Sequence, residues 1–171
     1  DFFFSNKIEN IVFFFFKDKN LDILFDIPYT KIKNKIKPIK IKKKFNKYIW
    51  PSTIPTSGIS FKRSFFEYCL KLNLFDNYPM LEIDFRLNLF AQKINRNYQI
   101  SNDKLTFYRN VKDGIMSNLN KFSFLWWKKR YQAHFYSENI FKLKNLNYKR
   151  SLDYYFTKLI FNFLNNFNKG K

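Results

Sequence analysis

The chain has 171 residues, enough for one domain with a core of its own and an extension. Its 32 Lys and Arg against 13 Asp and Glu leave a net charge of +19, yet 46% of its residues are hydrophobic, which excludes a disordered polyelectrolyte. One cysteine, Cys69, excludes an internal disulfide and any multi-cysteine zinc site, and the longest unbroken apolar run, IVFFFF at 11–16, is too short to span a bilayer.

Residues 1–29 hold five acids and two Phe clusters, and the apolar runs predict short buried strands near 11–16 and 21–27, the second ended by Pro28. Acids precede the first run and no small-residue cleavage site follows it, so it does not read as a signal peptide. From Ile27 to Phe66 there is no acid. That window opens with KIKNKIKPIKIKKKFNKYIW (31–50), in which the phase of the alternation changes. Lys31, Lys33, Lys35 and Lys37 are odd-numbered and Ile32 and Ile36 even; after Pro38, Ile39 and Ile41 are odd and Lys40, Lys42 and Lys44 even. One regular strand cannot keep both isoleucine sets on one face, and Pro38 lacks the donor a central strand needs. The stretch therefore predicts two extended pieces joined at a bend. It forms an arm with nine lysines from 31 to 47, Lys43 and Lys47 included, that rejoins the body near Tyr48 and Trp50.

PSTIPTSG (51–58) reads as a loop and sets a boundary between an N-terminal part, 1–50, and a body, 51–171. Phe61, Phe65, Cys69 and Leu72 predict a helix over 61–75, with Ser64 and Glu67 in the form of a capping box. MLEIDFRLNL (80–89) alternates cleanly and predicts a strand. Leu105, Tyr108, Lys112, Ile115 and Leu119 predict a helix over 103–121 capped by Ser101 or Asp103. FSFLWWKKRYQAHFY (122–136) is rich in β-formers and predicts a strand. Ser151 caps a final helix whose apolar stripe runs from Leu152 through Tyr155, Phe156, Leu159, Ile160, Phe163 and Leu164 to Phe167, with Gly170 closing it. The order of elements predicts an α+β fold: a small mixed domain with amphipathic helices packed on a short sheet, plus an extended basic arm.

Catalytic constellations are not visible. His134 is the one histidine, with no cysteine or carboxylate within three residues of it in sequence, and Cys69 on an apolar helical face is a small hydrophobe by default. Three scattered glycines cannot build a phosphate loop. Glu82 and Asp84 would share a strand face and could hold a divalent cation, but Arg86 beside them gives a plain solvated face instead. No enzyme activity, cofactor, metal or small-molecule substrate is expected.

The basic groups point elsewhere. A charge of +19 repels itself in a compact state and calls for a polyanionic partner. The arm lysines Lys31, Lys33, Lys35, Lys37, Lys40, Lys42, Lys43, Lys44 and Lys47 suit threading between RNA helices. WWKKR sets Trp126 and Trp127, which can stack on bases, beside Lys128, Lys129 and Arg130, which can meet phosphates. Lys62 and Arg63 stand at the start of one expected helix, and Lys144, Lys149 and Arg150 precede another. Cations sit poorly at a helix start unless an anion binds there.

A strongly basic, aromatic-rich chain with a lysine arm resembles a ribosomal protein. The 24 Phe, 11 Tyr and abundant Ile, Asn and Lys, against 3 Gly, are the residues of AT-rich codons. In that respect the chain resembles ribosomal proteins encoded in AT-rich protist mitochondrial genomes, and part of its lysine excess traces to that bias. DKLTFYRN (103–110) is similar to the opening of the small-subunit protein eight family at Asp103, Leu105, Thr106, Arg109 and Asn110, without that family's serine- and glycine-rich half after it. FRL (85–87) with INRN (94–97) is similar to the N-terminal segment of the small-subunit protein three family. The two fragments point to different families, so none is assigned, and both lean to the small subunit. The resemblance implies a structural component of a mitochondrial ribosome in the matrix, with rRNA and neighbouring ribosomal proteins as partners; with no spanning segment, membrane contact is not expected. The alternative is an accessory subunit of a mitochondrial inner-membrane respiratory complex, with helix 152–167 against lipid or a partner's helices.

Overall fold

The computed structural model describes residues 1–32, 35–40, 50–73, 75, 77–95, 97–109 and 119–169. The chain is α+β: among the described residues, five α-helices accompany seven short strands in two sheets. It divides into two units, Asp1–Phe75 with Glu82–Asn110 and Asp76–Leu81 with Val111–Lys171.

The first unit holds all seven strands. β2 (Ile23–Asp26) is the centre of a three-stranded sheet, antiparallel to β5 (Ile59–Phe61) and parallel to β6 (Tyr98–Ser101). Ile23, Leu24 and Phe25 are all buried, as a continuous apolar run requires when both faces of a strand are covered. Each such side chain contributes about 1.5–3 kcal/mol. The strand expected over 21–27 is therefore present.

The second sheet runs β1 (Phe2–Phe3), β7 (Thr106–Phe107), β3 (Tyr29–Ile32), β4 (Lys35–Pro38). Gly58 closes a 3-10 turn, Thr56–Gly58, against the backbone of β2; a Cβ there would stand 2.5 Å from the Asp26 carbonyl oxygen.

Several expected strands are helices. The Phe run at 11–16 lies within α1 (Lys7–Lys17), where Glu9 in the first turn and Lys17 in the last suit the helix dipole. Its Ile8, Val12, Phe13 and Phe16 are exposed, so the run is no core strand.

MLEIDFRLNL forms α3 (Ile83–Phe90), continued by one π turn, Ala91–Asn95. Alternation failed there because two of its polar positions, Arg86 and Asn88, are buried and bonded rather than solvated. Asn88 donates to the Ile54 carbonyl at 2.9 Å and accepts from the Ile54 N–H at 3.2 Å. Gln92 donates to the Ser52 carbonyl and to the Asn88 side chain. These bonds fasten the 51–58 loop to α3.

α2 (Arg63–Lys71) matches the helix expected over 61–75, but Lys62, not Ser64, stands at its N-cap, and Glu67 pairs with Arg63 instead of closing a capping box. The expected helix over 103–121 begins instead with a turn, Asp103 N–H donating to Ser101 Oγ at 3.0 Å, followed by β7; residues 110–118 lie outside the described ones.

The second unit contains α4 (Phe124–Leu143) and α5 (Leu152–Lys169). FSFLWWKKRYQAHFY is helical here because Ser123 caps it, accepting from the Trp126 N–H at 3.2 Å. Tyr136 and Ile140, four residues apart, bury one helical face of α4. α5 begins as expected, with Ser151 Oγ accepting from the Tyr154 N–H at 3.3 Å. Gly170 lies outside the described residues.

Candidate nucleic-acid interface

The described part of the basic arm is an antiparallel ribbon. β3 and β4 pair Tyr29 with Pro38, Thr30 with Lys37, Lys31 with Ile36 and Ile32 with Lys35. The chain therefore reverses between Ile32 and Lys35, within the first of the two expected pieces; residues 41–49, in the second, lie outside the described ones. Pro38 closes β4, the edge strand, where the donor it lacks is not needed. Side chains directly opposite share a face, so Lys35 and Lys37 stand with Thr30 on one side, and Lys31 with Ile36 on the other.

Lys31, Lys35, Lys37 and Lys40 are exposed. None of them enters an ion pair among the described residues. Lysines on an edge strand also deter unwanted strand pairing, so the arrangement serves the fold as well as a ligand. Lys33, Lys42, Lys43, Lys44 and Lys47 lie outside the described residues.

The other candidate cations are mostly engaged within the chain. Lys62 donates from Nζ to the Lys19 carbonyl at 2.5 Å, and Arg63 Nε reaches Glu67 Oε1 at 2.8 Å. In α4, Arg130 lies 2.5 Å from Asp153 of α5, whose other oxygen is 3.1 Å from His134 Nε2. Arg150 donates to both oxygens of Glu138, Nη2 at 2.9 Å and Nε at 3.3 Å, and Lys142 pairs with the same carboxylate. Two acids thus bind α4 to α5 and to the segment before it. The hydrogen bonds from Arg150 and then Lys142 hold the Glu138 carboxyl below its ordinary range.

The cations at the start of α5 therefore have an internal explanation in Arg150, while Lys149 is exposed and unpaired among the described residues. Lys128, Lys129 and Lys144 are half-buried. Trp127 is buried, its ring edge-on to Trp126 and to Phe156, so it belongs to the packing and is not free to stack on a base. Trp126 is partly exposed, with Phe122 against it and the Arg130 guanidinium 5.3 Å from its ring centre.

The groups considered for catalysis are accounted for by packing. On α3, Glu82 is the N-cap residue and Asp84 accepts from the Phe85 N–H, so the shared strand face that would have made them a metal pair does not exist. Among the described residues no group of three or more His, Cys, Asp and Glu could hold a metal ion. Burial holds the His134 imidazole below its ordinary value, against the opposing pull of Asp153. Cys69 is fully buried, and burial, with the Asp22 charge adding to it, pushes its thiol up to about 12.

One buried polar site gave no sequence signal. Lys7, the first residue of α1, places its ammonium 3.0 Å from Asp26 Oδ2 and donates to the Ser57 carbonyl and Thr106 Oγ1, both at 2.6 Å. It ties four separate segments of the first unit together, and no local pattern distinguishes it from the solvated lysines. No family model, curated protein or solved structure matches this chain, so the chemistry of its surfaces rests on its own residues.

Proposed function

We propose that this chain is a non-catalytic, structural rRNA-binding component of a mitochondrial ribosome, working in the matrix beside neighbouring ribosomal proteins. The observation that carries the reading is the β3–β4 ribbon. It offers cations on both faces and leaves them without counter-charges among the described residues, in a 40-residue window, 27–66, that contains no acid. Elsewhere in the described chain, Asp26, Glu67, Glu138 and Asp153 pair with particular cations; the ribbon lysines have no such partner there. Such a ribbon, followed in sequence by Lys42, Lys43, Lys44 and Lys47, neutralises phosphates and releases their counterions. Contacts of this kind read the RNA backbone and its shape, since the deep groove of an RNA duplex hides its base edges from side chains. The compartment follows from the composition, which resembles that of proteins from AT-rich mitochondrial genomes.

Sedimentation of tagged protein from organelle lysate tests this. Co-migration with rRNA-containing particles, weakened by high salt and abolished by RNase, is the expected result. Recovery in an RNA-free, detergent-extracted complex would sink the proposal in favour of a respiratory assembly.

A further inference from the structure

α5 has two apolar sides. By helical spacing Tyr154, Thr157 and Phe161 fall on one, where Tyr154 and Thr157 are buried and Phe161 stacks on Phe124 and Tyr131 of α4. On the other stand Leu152, Tyr155, Leu159, Phe163 and Phe167, each between 56% and 89% exposed, together with Phe156, which also meets Trp127 of α4 edge-on. A helix apolar on both sides belongs between two partners, and the described residues supply one. The outer stripe runs about 22 Å along the helix, too large and continuous to be scattered surface residues.

We propose that this outer face lies in the plane of an anionic bilayer surface. Charge chooses among the occupants. The unit that carries α5 has 12 Lys and Arg against 4 Asp and Glu, so a second copy of it would be repelled. An RNA duplex offers phosphates but no apolar surface for Leu159 and Phe163. A membrane of anionic lipid offers both an apolar interior and negative headgroups. Lys158 is exposed on the flank of the stripe beside Tyr155, and Lys149 is exposed just ahead of the helix; both can reach headgroups while the stripe enters the acyl boundary. Among the described residues no helix is long and apolar enough to cross a membrane, so the contact lies on the surface and does not span. The inference does not rest on the RNA reading, which uses the β3–β4 ribbon.

Flotation of the full chain, freed of RNA by nuclease and high salt, with vesicles of phosphatidylcholine alone or mixed with phosphatidylglycerol is the test. The wild type is expected to float with the anionic vesicles and weakly with the neutral ones. Leu159→Asn with Phe163→Asn should lower the apparent vesicle affinity about tenfold or more without changing the circular dichroism spectrum. K31Q/K35Q/K37Q should largely retain vesicle binding. In a separate Phe163→Trp variant the added indole's emission should shift to the blue on anionic vesicles, which keeps the test decisive if the double variant does not fold. Equal binding by the double variant and the wild type would reduce the effect to lysine adsorption and overturn the proposal. So would a wild type that never floats, an indole whose emission does not move, or a wild-type dimer that the double variant converts to monomer.

Discussion

Replacing Lys31, Lys35 and Lys37 together by Gln removes three exposed cations from the two faces of the β3–β4 ribbon. Because none has an ion-pair partner among the described residues, each is free to make a full phosphate contact. Every such contact contributes about 0.7–0.9 to the slope of log affinity against log salt, so the triple variant should flatten that slope by about 2–3. At about 0.15 M salt the same count is worth roughly a hundredfold in affinity for a structured RNA. Exposed, unpaired side chains add little to the fold, so its melting should stay within about 0.5 kcal/mol of the wild type. R130Q/R150Q is the contrast. Those guanidiniums are held by Asp153 and Glu138, so their loss should lower the melting temperature more than it flattens the slope. Anisotropy titrations of a labelled rRNA fragment across a series of salt concentrations measure both quantities. A triple variant with the wild-type slope would refute the assignment of the ribbon as the phosphate-binding element.

Three other outcomes follow from the interior. K7M leaves the Asp26 carboxylate buried without its cation and should cost about 3–5 kcal/mol in urea unfolding, whereas K7M/D26L should recover most of the loss; a single variant as stable as wild type would refute the buried pair. His134 is held below its ordinary value by burial, so as pH falls through about 6.5 the unfolded chain takes up a proton that the folded chain resists. The contribution is present above that pH and declines below it; melts from neutral to mildly acidic pH should show the decline, and H134Q should flatten it. Cys69, buried and with its thiol raised to about 12, should react with a disulfide reagent only as fast as the chain unfolds; rapid labelling under native conditions would show that the helix α2 face is open.

The fold class was legible because it depends on amounts: enough hydrophobic residues for a core, helical stripes in α2 and α5, and a solid apolar run in β2. Periodicity misled wherever the buried polar groups were satisfied by distant partners. Asn88 and Arg86 sit on the apparently wet side of an alternating stretch, yet Asn88 bonds to Ile54 and Arg86 to the Phe75 carbonyl, and both residues are buried in α3. In α4 the opposite happened: β-forming aromatics suggested a strand, and Ser123, an ordinary cap signal, marks the true start of the helix. Site candidates divided along the same line. Lysines from the acid-free window kept their freedom in Lys31, Lys35, Lys37 and Lys40, but Arg63, Arg130 and Arg150 were chosen by local spacing and found acids across a helix turn or on another element.

The sequence by itself determined the charge imbalance, the lack of acids from 27 to 66, the β2 core strand and the Ser151 start of α5, because each depends on composition or on neighbours a few residues away. Only the tertiary structure decided which cations are neutralised, that Trp127 is packing and not a stacking platform, and that Leu152, Tyr155, Leu159, Phe163 and Phe167 of the α5 stripe stay exposed. Those properties depend largely on residues distant in the chain, and the pairs Lys7–Asp26, Arg130–Asp153 and Asn88–Ile54, 19, 23 and 34 positions apart, carry no mark in the local pattern.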